Sequence, residues 1–227
     1  MKRSEINRAI REMEELIRRN GLALPPFCHY SPEQWRNLGH RHDEIRDARL
    51  GWDITDYGLG RFSEVGFALI TLRNGKAGDP RYPKAYAEKL LMLSPGQTAP
   101  MHYHFHKTED IINRGGGDLV LTLFQATPDG QYSGDPFTVS CDGVATTLNP
   151  GDRVTLVPGE SITLPPYLYH DFQVRPGTGA VLIGEVSSVN DDETDNRFRD
   201  PIGRFPAIAE DEPPYRLLCT EYPPAME

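Results

Sequence analysis

The chain has 227 residues, of which 38% are hydrophobic and 25% are charged, and its formal net charge at pH 7 is −9. This length accommodates one substantial core with extensions, and the composition is ordinary for a soluble globular protein. The negative charge argues against nucleic acid or an anionic membrane as the main partner, and no apolar run approaches the ~18 residues of a membrane-spanning helix. We therefore expect a single domain over residues 1–227 with a neutral or cationic small-molecule partner.

The three cysteines, Cys28, Cys141 and Cys219, are widely spaced and form no CxxC motif. An odd number of such cysteines fits reduced thiols better than a disulfide framework. The amino terminus has no basic segment followed by a short apolar stretch, which would mark a secretory signal. These features predict a cytoplasmic protein.

The amino-terminal region has helical patterning. Residues 4–20 carry apolar side chains at the spacing of an amphipathic helix, with Ser4 as a candidate N-cap and Gly21 at the end. A second helix is predicted to begin after Ser31, which precedes a proline at the first helical position and a glutamine at the capping-box position. Residues 1–60 are thus expected to form an N-terminal helical extension.

From about residue 62 the apolar spacing changes to short runs that suit strands, separated by turns rich in Gly, Pro, Asn and Asp. The runs are VGFALITL, AYAEKLLML, DLVLTLFQA, RVTLV, SITLP, HDFQV and AVLIGEVSSV. Such short strands at hairpin spacing predict a mainly β sandwich or barrel over residues 61–190. The acidic and proline-rich residues 191–227 are expected to form a C-terminal tail that wraps this barrel.

Three histidines lie close together in the segment MHYHFHKTED, residues 101–110. On a strand, His102 and His104 project from the same face, so two imidazoles lie one pleat apart. An isolated HxH pattern fits a polar edge strand about as well as a metal site. His106 shares the strand parity of His104, and we expect it at the rim of the site, where a substrate would contact it.

The wider pattern around these histidines favours a metal site over a polar edge strand. One motif combines a glycine, two histidines, a glutamate and a second glycine, and another combines a glycine, a proline and a histidine. The first comprises Gly96, His102, His104, Glu109 and Gly116, and the second comprises Gly159, Pro165 and His170. In these motifs, over roughly residues 60–190, the chain resembles the cupin superfamily. The resemblance implies a double-stranded β-helix, or jelly-roll, barrel.

The resemblance also implies a metal site. Its ligands would be His102, His104, Glu109 and His170, a set of three nitrogens and one oxygen that suits Mn, Fe, Co, Ni or Zn. The second motif departs from the family pattern, because Tyr167 stands where the family usually has glycine. This departure leaves His170 in place and the local turn geometry open.

A finer resemblance covers most of the chain, from Leu24 to Pro214. The segments that carry it are LPPF, LGWDITDYG, TLRNG, YAEK, PMHYH, EDIINRGGG, LPPYLYH, GEVSSVNDD and EDEPP. In these segments the chain is similar to the D-lyxose isomerase family, a group of metal-dependent cupin aldose-ketose isomerases. The resemblance implies interconversion of D-lyxose and D-xylulose and of D-mannose and D-fructose. It also implies Mn²⁺ as the usual metal, although Co²⁺, Zn²⁺ or Fe²⁺ would satisfy the same ligands.

Such an isomerase moves hydrogen between C1 and C2 of the sugar, which requires an acid-base group beside the metal. Glu185 is our candidate base, because it interrupts the otherwise apolar strand AVLIGEV, where burial would raise its pKa. Lys107 and Lys89 are candidates to hydrogen-bond a sugar hydroxyl or the developing oxyanion. Strand parity leaves open whether Glu88 or Lys89 points inward. Transfer as a proton or as a hydride is equally open.

The acidic loop VNDD follows this strand. Asn190 and Asp191 are candidates to bind sugar hydroxyls at the mouth of the barrel, although such loops are as often only solvated. Arg204 and the glycine run after Arg114 are interpreted as structural. The glycine run lacks the strand-GxxxxGK context of a phosphate loop.

Three alternatives share this metal site: an isomerase of phosphosugars, a cupin dioxygenase and a non-catalytic sugar-binding cupin. Phosphate would call for convergent Lys or Arg, of which the acidic chain offers few obvious sets. The carboxylates and lysines near the site favour a polyol over an apolar oxygen pocket. We expect a free sugar as the partner and a homodimer as the assembly, since a second subunit often covers exposed sheet faces of small barrels.

Overall fold

A computed structural model describes residues 1–227 as a mainly β protein with three α-helices near its amino terminus. The helices are α1 (Arg3–Arg19), α2 (Pro32–Arg36) and α3 (Asp43–Asp47). The strands are β1 (Gly51–Thr55), β2 (Phe67–Arg73), β3 (Tyr86–Leu93), β4 (Thr98–His104), β5 (Glu109–Gly116), β6 (Leu119–Gln125), β7 (Phe137–Cys141), β8 (Val144–Leu148), β9 (Arg153–Leu156), β10 (Ser161–Leu164), β11 (Leu168–Val174), β12 (Val181–Ser188) and β13 (Asn196–Phe198). None of the helices combines the length and apolar character that a membrane span requires.

The strands form two antiparallel sheets that face each other as a jelly-roll barrel. One sheet has eight strands in the order β1-β2-β3-β12-β5-β10-β7-β8, and the other has five in the order β13-β4-β11-β6-β9. The core between them takes apolar side chains from both, such as Leu91 and Ile183 from the first sheet and Leu121 and Phe172 from the second. Alternation of buried and partly exposed residues along β6 follows from this arrangement. The predicted mainly β barrel is confirmed.

Helix α1 packs on the outer face of the eight-stranded sheet. Its apolar stripe, which includes Ile6, Ile10 and Met13, forms a second buried cluster with Ile70 of β2 and Met92 of β3. Burial of such a stripe, more than intrinsic propensity, is what stabilises a surface helix. The amphipathic pattern at the amino terminus therefore predicted both the helix and its buried face.

The two predicted helix starts have different outcomes. Ser31 caps α2 as predicted, because its hydroxyl accepts a hydrogen bond from Gln34 N at 3.2 Å, while Gln34 Oε1 accepts one from Ser31 N at 2.8 Å. The prediction that Ser4 caps α1 is wrong. Lys2 is the N-cap, and Ser4 Oγ instead donates to Asp211 Oδ2 in the tail at 2.7 Å.

Two strands lie outside the range predicted for the barrel. β1 belongs to residues 1–60, which were expected to be helical, and its pairing with β2 makes it an edge of the eight-stranded sheet. β13 belongs to the tail and pairs with β4. The tail then returns to α1, where Arg3 donates hydrogen bonds to Glu210 and Glu221. The tail thus contacts both β4 and α1, and the division of the chain into a single domain with a wrapping tail remains a prediction.

Candidate active site

The three motif histidines converge inside the barrel on the five-stranded sheet. His102 and His104 lie on β4, and His170 lies on β11 directly opposite His102 in the strand register. One ring nitrogen from each histidine lies within 4.8 Å of the other two. The structure thus brings together three histidines that are distant in the sequence, and the group can hold a metal ion.

The second ring nitrogen of each histidine is held by a backbone carbonyl. His102 Nδ1 lies 2.8 Å from Pro100 O, His104 Nδ1 lies 3.0 Å from Asp195 O, and His170 Nδ1 lies 3.0 Å from Leu168 O. A carbonyl only accepts hydrogen bonds, so each Nδ1 carries the hydrogen and each Nε2 presents a lone pair. This is the tautomer in which an imidazole binds a metal through Nε2.

Burial favours the neutral form of His102 and His104. Burial, with His170 and His104 as neighbours, lowers the pKa of His102 well below its ordinary value. Burial and the nearby Lys107 lower the pKa of His104. Neutral imidazoles are the form that binds a metal, because a protonated ring offers no lone pair.

Glu109 faces the histidines from β5 in the opposite sheet. Its Oε1 lies 3.1 Å from His170 Nε2 and 3.4 Å from His104 Nε2. Burial alone would raise the pKa of Glu109, but Lys107 and His104 outweigh burial and hold that pKa well below its ordinary value. The fourth predicted ligand is therefore an ionised carboxylate beside two of the three imidazoles.

Two buried atoms at this point have no hydrogen-bond partner, Glu109 Oε1 and His170 Nε2. Buried polar atoms nearly always have a partner, so two adjacent electron-pair donors without one call for an electron-pair acceptor between them. Imidazole nitrogens and a carboxylate oxygen are donors that divalent transition metals accept. The residues present fit a metal ion.

A second polar cluster faces the histidines from the eight-stranded sheet. Glu185 on β12 lies opposite Lys89 on β3 in the strand register. Glu185 Oε1 accepts a hydrogen bond from Lys107 Nζ at 2.9 Å and lies 3.1 Å from Lys89 Nζ, and Lys107 Nζ also lies 2.7 Å from Glu109 Oε2. All four side chains are buried. The parity question is thereby answered, since Lys89 and not Glu88 points inward.

The expected direction of the Glu185 pKa is wrong. Burial alone would raise the pKa of Glu185, but Lys107 and Lys89 outweigh burial and lower it. Burial likewise opposes the charge of Lys107, yet Glu109 and Glu185 raise the pKa of that lysine above its ordinary value. At neutral pH the cluster therefore holds two carboxylates bridged by an ammonium group, and Glu185 is in the form that accepts a proton.

These side chains line a cavity between the two sheets, which we call the chamber. Its polar lining residues include His102, His104 and the Glu185 cluster, and its other lining residues are mainly aromatic and aliphatic. The apolar lining residues are Tyr57, Phe67, Leu69, Leu91, Phe172 and Phe198. A lining that mixes polar and apolar side chains suits a polyol, whose hydroxyls and C–H groups need different partners.

The remaining predicted contact residues lie in different places. Asn190 Oδ1 accepts a hydrogen bond from Lys89 Nζ at 2.5 Å, so this amide belongs to the polar cluster. Asp191 is exposed, and its carboxylate accepts hydrogen bonds from the turn that follows it. His106 is exposed because β4 ends at His104, where strand parity ceases to apply. The structure does not bring Asp191 or His106 to the chamber.

Sequence reasoning assigned Arg204 a structural role, but the tail carries it to the chamber wall. Arg204 Nη2 donates to Asp53 Oδ2 at 2.6 Å and lies 3.6 Å from Asp192 Oδ2. Its Nη1 is buried and has no hydrogen-bond partner. Arg204 therefore keeps one donor free for a ligand oxygen. No local sequence signal predicts this contact, because it depends on the path of the tail.

Tyr167 answers the question that the second motif left open. Its φ is +61°, in the left-handed region that glycine adopts without steric cost. The ring packs against Tyr103 and Phe105, with centroid distances of 5.2 and 5.9 Å, and Tyr167 N donates to His104 O at 2.9 Å. The turn geometry is thus kept without glycine, and it holds the start of β11 beside the end of β4.

The jelly-roll barrel with histidines from two strands inside it defines a cupin. The L-ribose isomerase of Geodermatophilus obscurus has a similar structure, with a TM-score of 0.59, and the match covers 92% of this chain and 98% of that one. The two sequences are 18% identical, so the likeness concerns the fold. The predicted cupin fold is confirmed.

The sequence comparisons are more specific. The family model described as D-lyxose isomerase matches residues 1–222. Proteins named D-lyxose/D-mannose isomerase from Serratia proteamaculans and Escherichia coli O157:H7 are each 46% identical to this chain over 223 residues, which is 98% of both partners. The chain belongs to the D-lyxose isomerase family, and it is an aldose-ketose isomerase. The expected family and enzyme class are confirmed.

Proposed function

We propose that this enzyme is a metal-dependent isomerase of free aldoses that interconverts D-lyxose with D-xylulose and D-mannose with D-fructose. The names of its two 46% identical relatives support both aldoses as substrates. The observation that carries the proposal is the convergence of three imidazoles inside the barrel with a buried carboxylate that two lysines hold. The reaction requires stabilisation of negative charge and transfer of a proton, and the chamber contains residues that can perform each of these.

His102, His104 and His170 would hold the metal ion, with Glu109 as an oxygen ligand, and we propose Mn²⁺ as that ion. The free Nε2 positions and the unsatisfied Glu109 oxygen support this ligand set. When bound, the ion supplies a Lewis acid that polarises the C1 and C2 oxygens of the sugar.

Glu185 is the proposed base. Its carboxylate takes the proton from C2 of the aldose, and the electrons of that C–H bond form the C1–C2 double bond of an enediolate. The carboxylic acid then returns the proton to C1, while the hydroxyl proton passes from O2 to O1. C2 is oxidised and C1 is reduced by the same two electrons, so no external redox partner is required. The lowered pKa of Glu185 supports an ionised base at neutral pH.

Lys107 and Lys89 are proposed to orient Glu185 and to donate hydrogen bonds to the sugar oxygens that gain negative charge. Their distances of 2.9 and 3.1 Å to Glu185 Oε1 support the first role. Arg204 is proposed as a further donor through its unsatisfied Nη1. Hydrogen bonds from charged donors are the stronger ones in a buried site, so these groups favour a charged transition state.

The charge balance of the chamber supports a neutral sugar over a phosphosugar. Every cation there already has an anionic partner: Lys107 lies beside Glu109 and Glu185, Lys89 beside Glu185, and Arg204 beside Asp53. A phosphate group brings ~1.5 to 2 negative charges at neutral pH. Burial of that charge would require cations that are not already paired.

We further propose that the enzyme is a cytoplasmic homodimer. The free thiols of Cys28, Cys141 and Cys219 support a reducing compartment. Tyr86 and Val186 project from the adjacent strands β3 and β12 and are 49% and 42% exposed, so two apolar side chains on this sheet face are open to a partner. Light scattering should give about twice the chain mass of 25.5 kDa, and a monomer would contradict the dimer.

The isomerase proposal is tested by incubating the Mn²⁺-loaded protein with D-lyxose, D-mannose and D-mannose 6-phosphate. Ketoses are measured by chromatography and oxygen uptake by an electrode. We expect ketose from both free sugars, none from the phosphosugar and no oxygen uptake. Oxygen uptake without ketose, or turnover of the phosphosugar alone, would contradict the proposal.

A further inference from the structure

Asn74 is a buried amide just beyond the end of β2. It is 6% exposed and does not line the chamber. Its Nδ2 donates to Asn190 O at 3.0 Å, and its Oδ1 accepts from Asn190 N at 3.0 Å. A single side chain therefore satisfies both backbone polar groups of Asn190. Asn190 lies beyond the end of β12, where the hydrogen bonds between strands no longer satisfy these groups.

The side chain of Asn190 connects three groups of the chamber. Its Oδ1 accepts from Lys89 Nζ at 2.5 Å and lies 3.5 Å from Lys107 Nζ. Its Nδ2 donates to Asp192 Oδ2 at 3.1 Å. Asn190 therefore constrains both lysines, and any shift of its backbone moves the acceptor that these lysines share.

We infer that Asn74 is a positioning residue, which fixes the backbone of Asn190 so that the Asn190 side chain orients Lys89 and Lys107 toward Glu185. The inference rests on the proposed function, because it assigns Asn74 an effect on the same proton-transfer step. The side-chain hydrogen bonds of Asn74 reach backbone groups, Ala48 O at 3.4 Å and the O and N of Asn190, and none of them reaches a metal ligand or either lysine.

The chemistry of the amide explains why asparagine is required at position 74. The two opposed bonds need one donor atom and one acceptor atom on the same carbon, which an amide provides and a hydroxyl or an ionised carboxylate does not. An aspartate of the same shape keeps the acceptor for Asn190 N but loses the donor to Asn190 O. Asn74→Asp is therefore the conservative variant that separates the two bonds.

A double-mutant cycle tests the inference. The values of kcat and KM for D-lyxose are measured with saturating Mn²⁺ for the wild type, Asn74→Ala, Asn190→Ala and the double variant. Loss of a residue that supports a catalytic group typically costs ~10- to 100-fold in activity. We expect Asn190→Ala to lower kcat within that range, Asn74→Ala to lower it by about tenfold, and Asn74→Asp to lie between Asn74→Ala and the wild type.

The decisive comparison is the double variant with Asn190→Ala. If Asn74 acts through Asn190, removal of Asn74 has no further effect once the Asn190 side chain is gone, so the two kcat values agree. The inference would be overturned if the fold-loss of kcat in the double variant equalled the product of the two single fold-losses. It would also be overturned if Asn74→Ala had the kcat of the wild type. An inactive wild type would instead contradict the proposed function, which keeps the two failures distinct.

Asn7 offers a matched control for general destabilisation. Asn7 is 1% exposed, its Nδ2 donates to Pro213 O at 2.9 Å, and its Oδ1 accepts from Tyr215 N at 2.8 Å. It therefore also satisfies backbone groups with a buried amide. Unlike Asn74, it lies on α1, which packs on the outer face of the eight-stranded sheet. Asn7→Ala should lower the Tm and leave kcat within about twofold of the wild type. An equal loss of kcat in Asn7→Ala would show that the Asn74 effect is unspecific, which overturns the inference.

Discussion

Glu185 is the only charged side chain in the strand AVLIGEV, and it faces two lysines. Glu185→Gln keeps the shape of the side chain and removes its capacity to accept a proton. We expect kcat to fall by ~10²- to 10⁴-fold, which is the usual contribution of a general base, and KM to change little. Initial rates with D-lyxose and D-mannose measure both constants.

Glu88→Gln is the matched control for this substitution. Glu88 lies on the adjacent strand β3, points outward and pairs with the exposed Arg73. Its substitution should leave kcat unchanged. Turnover that survives in Glu185→Gln would assign the base to another residue.

Strand parity could predict the direction of a side chain only within a single strand. His102 and His104 share a face because both lie on β4, whereas His106 escapes the same rule because the strand has ended. The predicted direction of the Glu185 pKa shift was wrong for a related reason. Burial was visible in the apolar strand, but the compensating Lys107 and Lys89 arrive from other segments.

Helix α1 and the tail are joined by one buried cation. Arg3 is 2% exposed and pairs with Glu210 and Glu221. Arg3→Met removes these charge-assisted bonds, and because Glu210 is largely exposed the loss should be moderate, about 1–3 kcal/mol in the free energy of unfolding. Urea unfolding measures it. Arg8→Met, on the exposed face of the same helix, should change that free energy by less than ~0.5 kcal/mol.

The stability difference between Arg3→Met and the wild type should depend on pH. The hydrogen bond from Arg3 lowers the pKa of Glu210 below its ordinary value of 4.5. A carboxyl group with a lowered folded-state pKa stabilises the fold above its unfolded-state pKa, and this contribution disappears as the pH falls through the lowered value. The difference should therefore be full at pH 7 and shrink below about pH 4.5. A difference in unfolding free energy that stays constant as the pH falls below about 4.5 would contradict the ion pair between Arg3 and Glu210.

Strands that coincide with a long apolar run and the helix with an amphipathic stripe could be predicted, whereas strands of mixed composition could not. The seven apolar runs correspond to strands, and α1 follows its amphipathic stripe. β1 was missed because its sequence GWDIT has only two apolar side chains, Trp52 and Ile54, so it forms no apolar run although all five residues are buried. β8 was missed because this edge strand is mostly exposed and rich in threonine.

At the scale of the whole molecule, the chamber is a product of both sheets and the tail. The five-stranded sheet supplies the imidazoles, the eight-stranded sheet supplies the carboxylates and Lys89, and the tail supplies Arg204. The motifs predicted the histidines because metal ligation constrains their spacing. The contribution of Arg204 could not be predicted, because the chain path after β13 is set by contacts with distant elements.

The most direct test of the metal-dependent isomerase is to remove and restore the metal. The protein is stripped with a chelator, its metal content is measured by elemental analysis, and ketose formation from D-lyxose is followed before and after titration with Mn²⁺. We predict that the stripped protein is inactive and that activity returns in proportion to bound metal, saturating near one ion per chain, while His170→Ala binds Mn²⁺ weakly and stays inactive. Full activity of the wild type after its metal has been removed would contradict a metal-dependent reaction in this chamber.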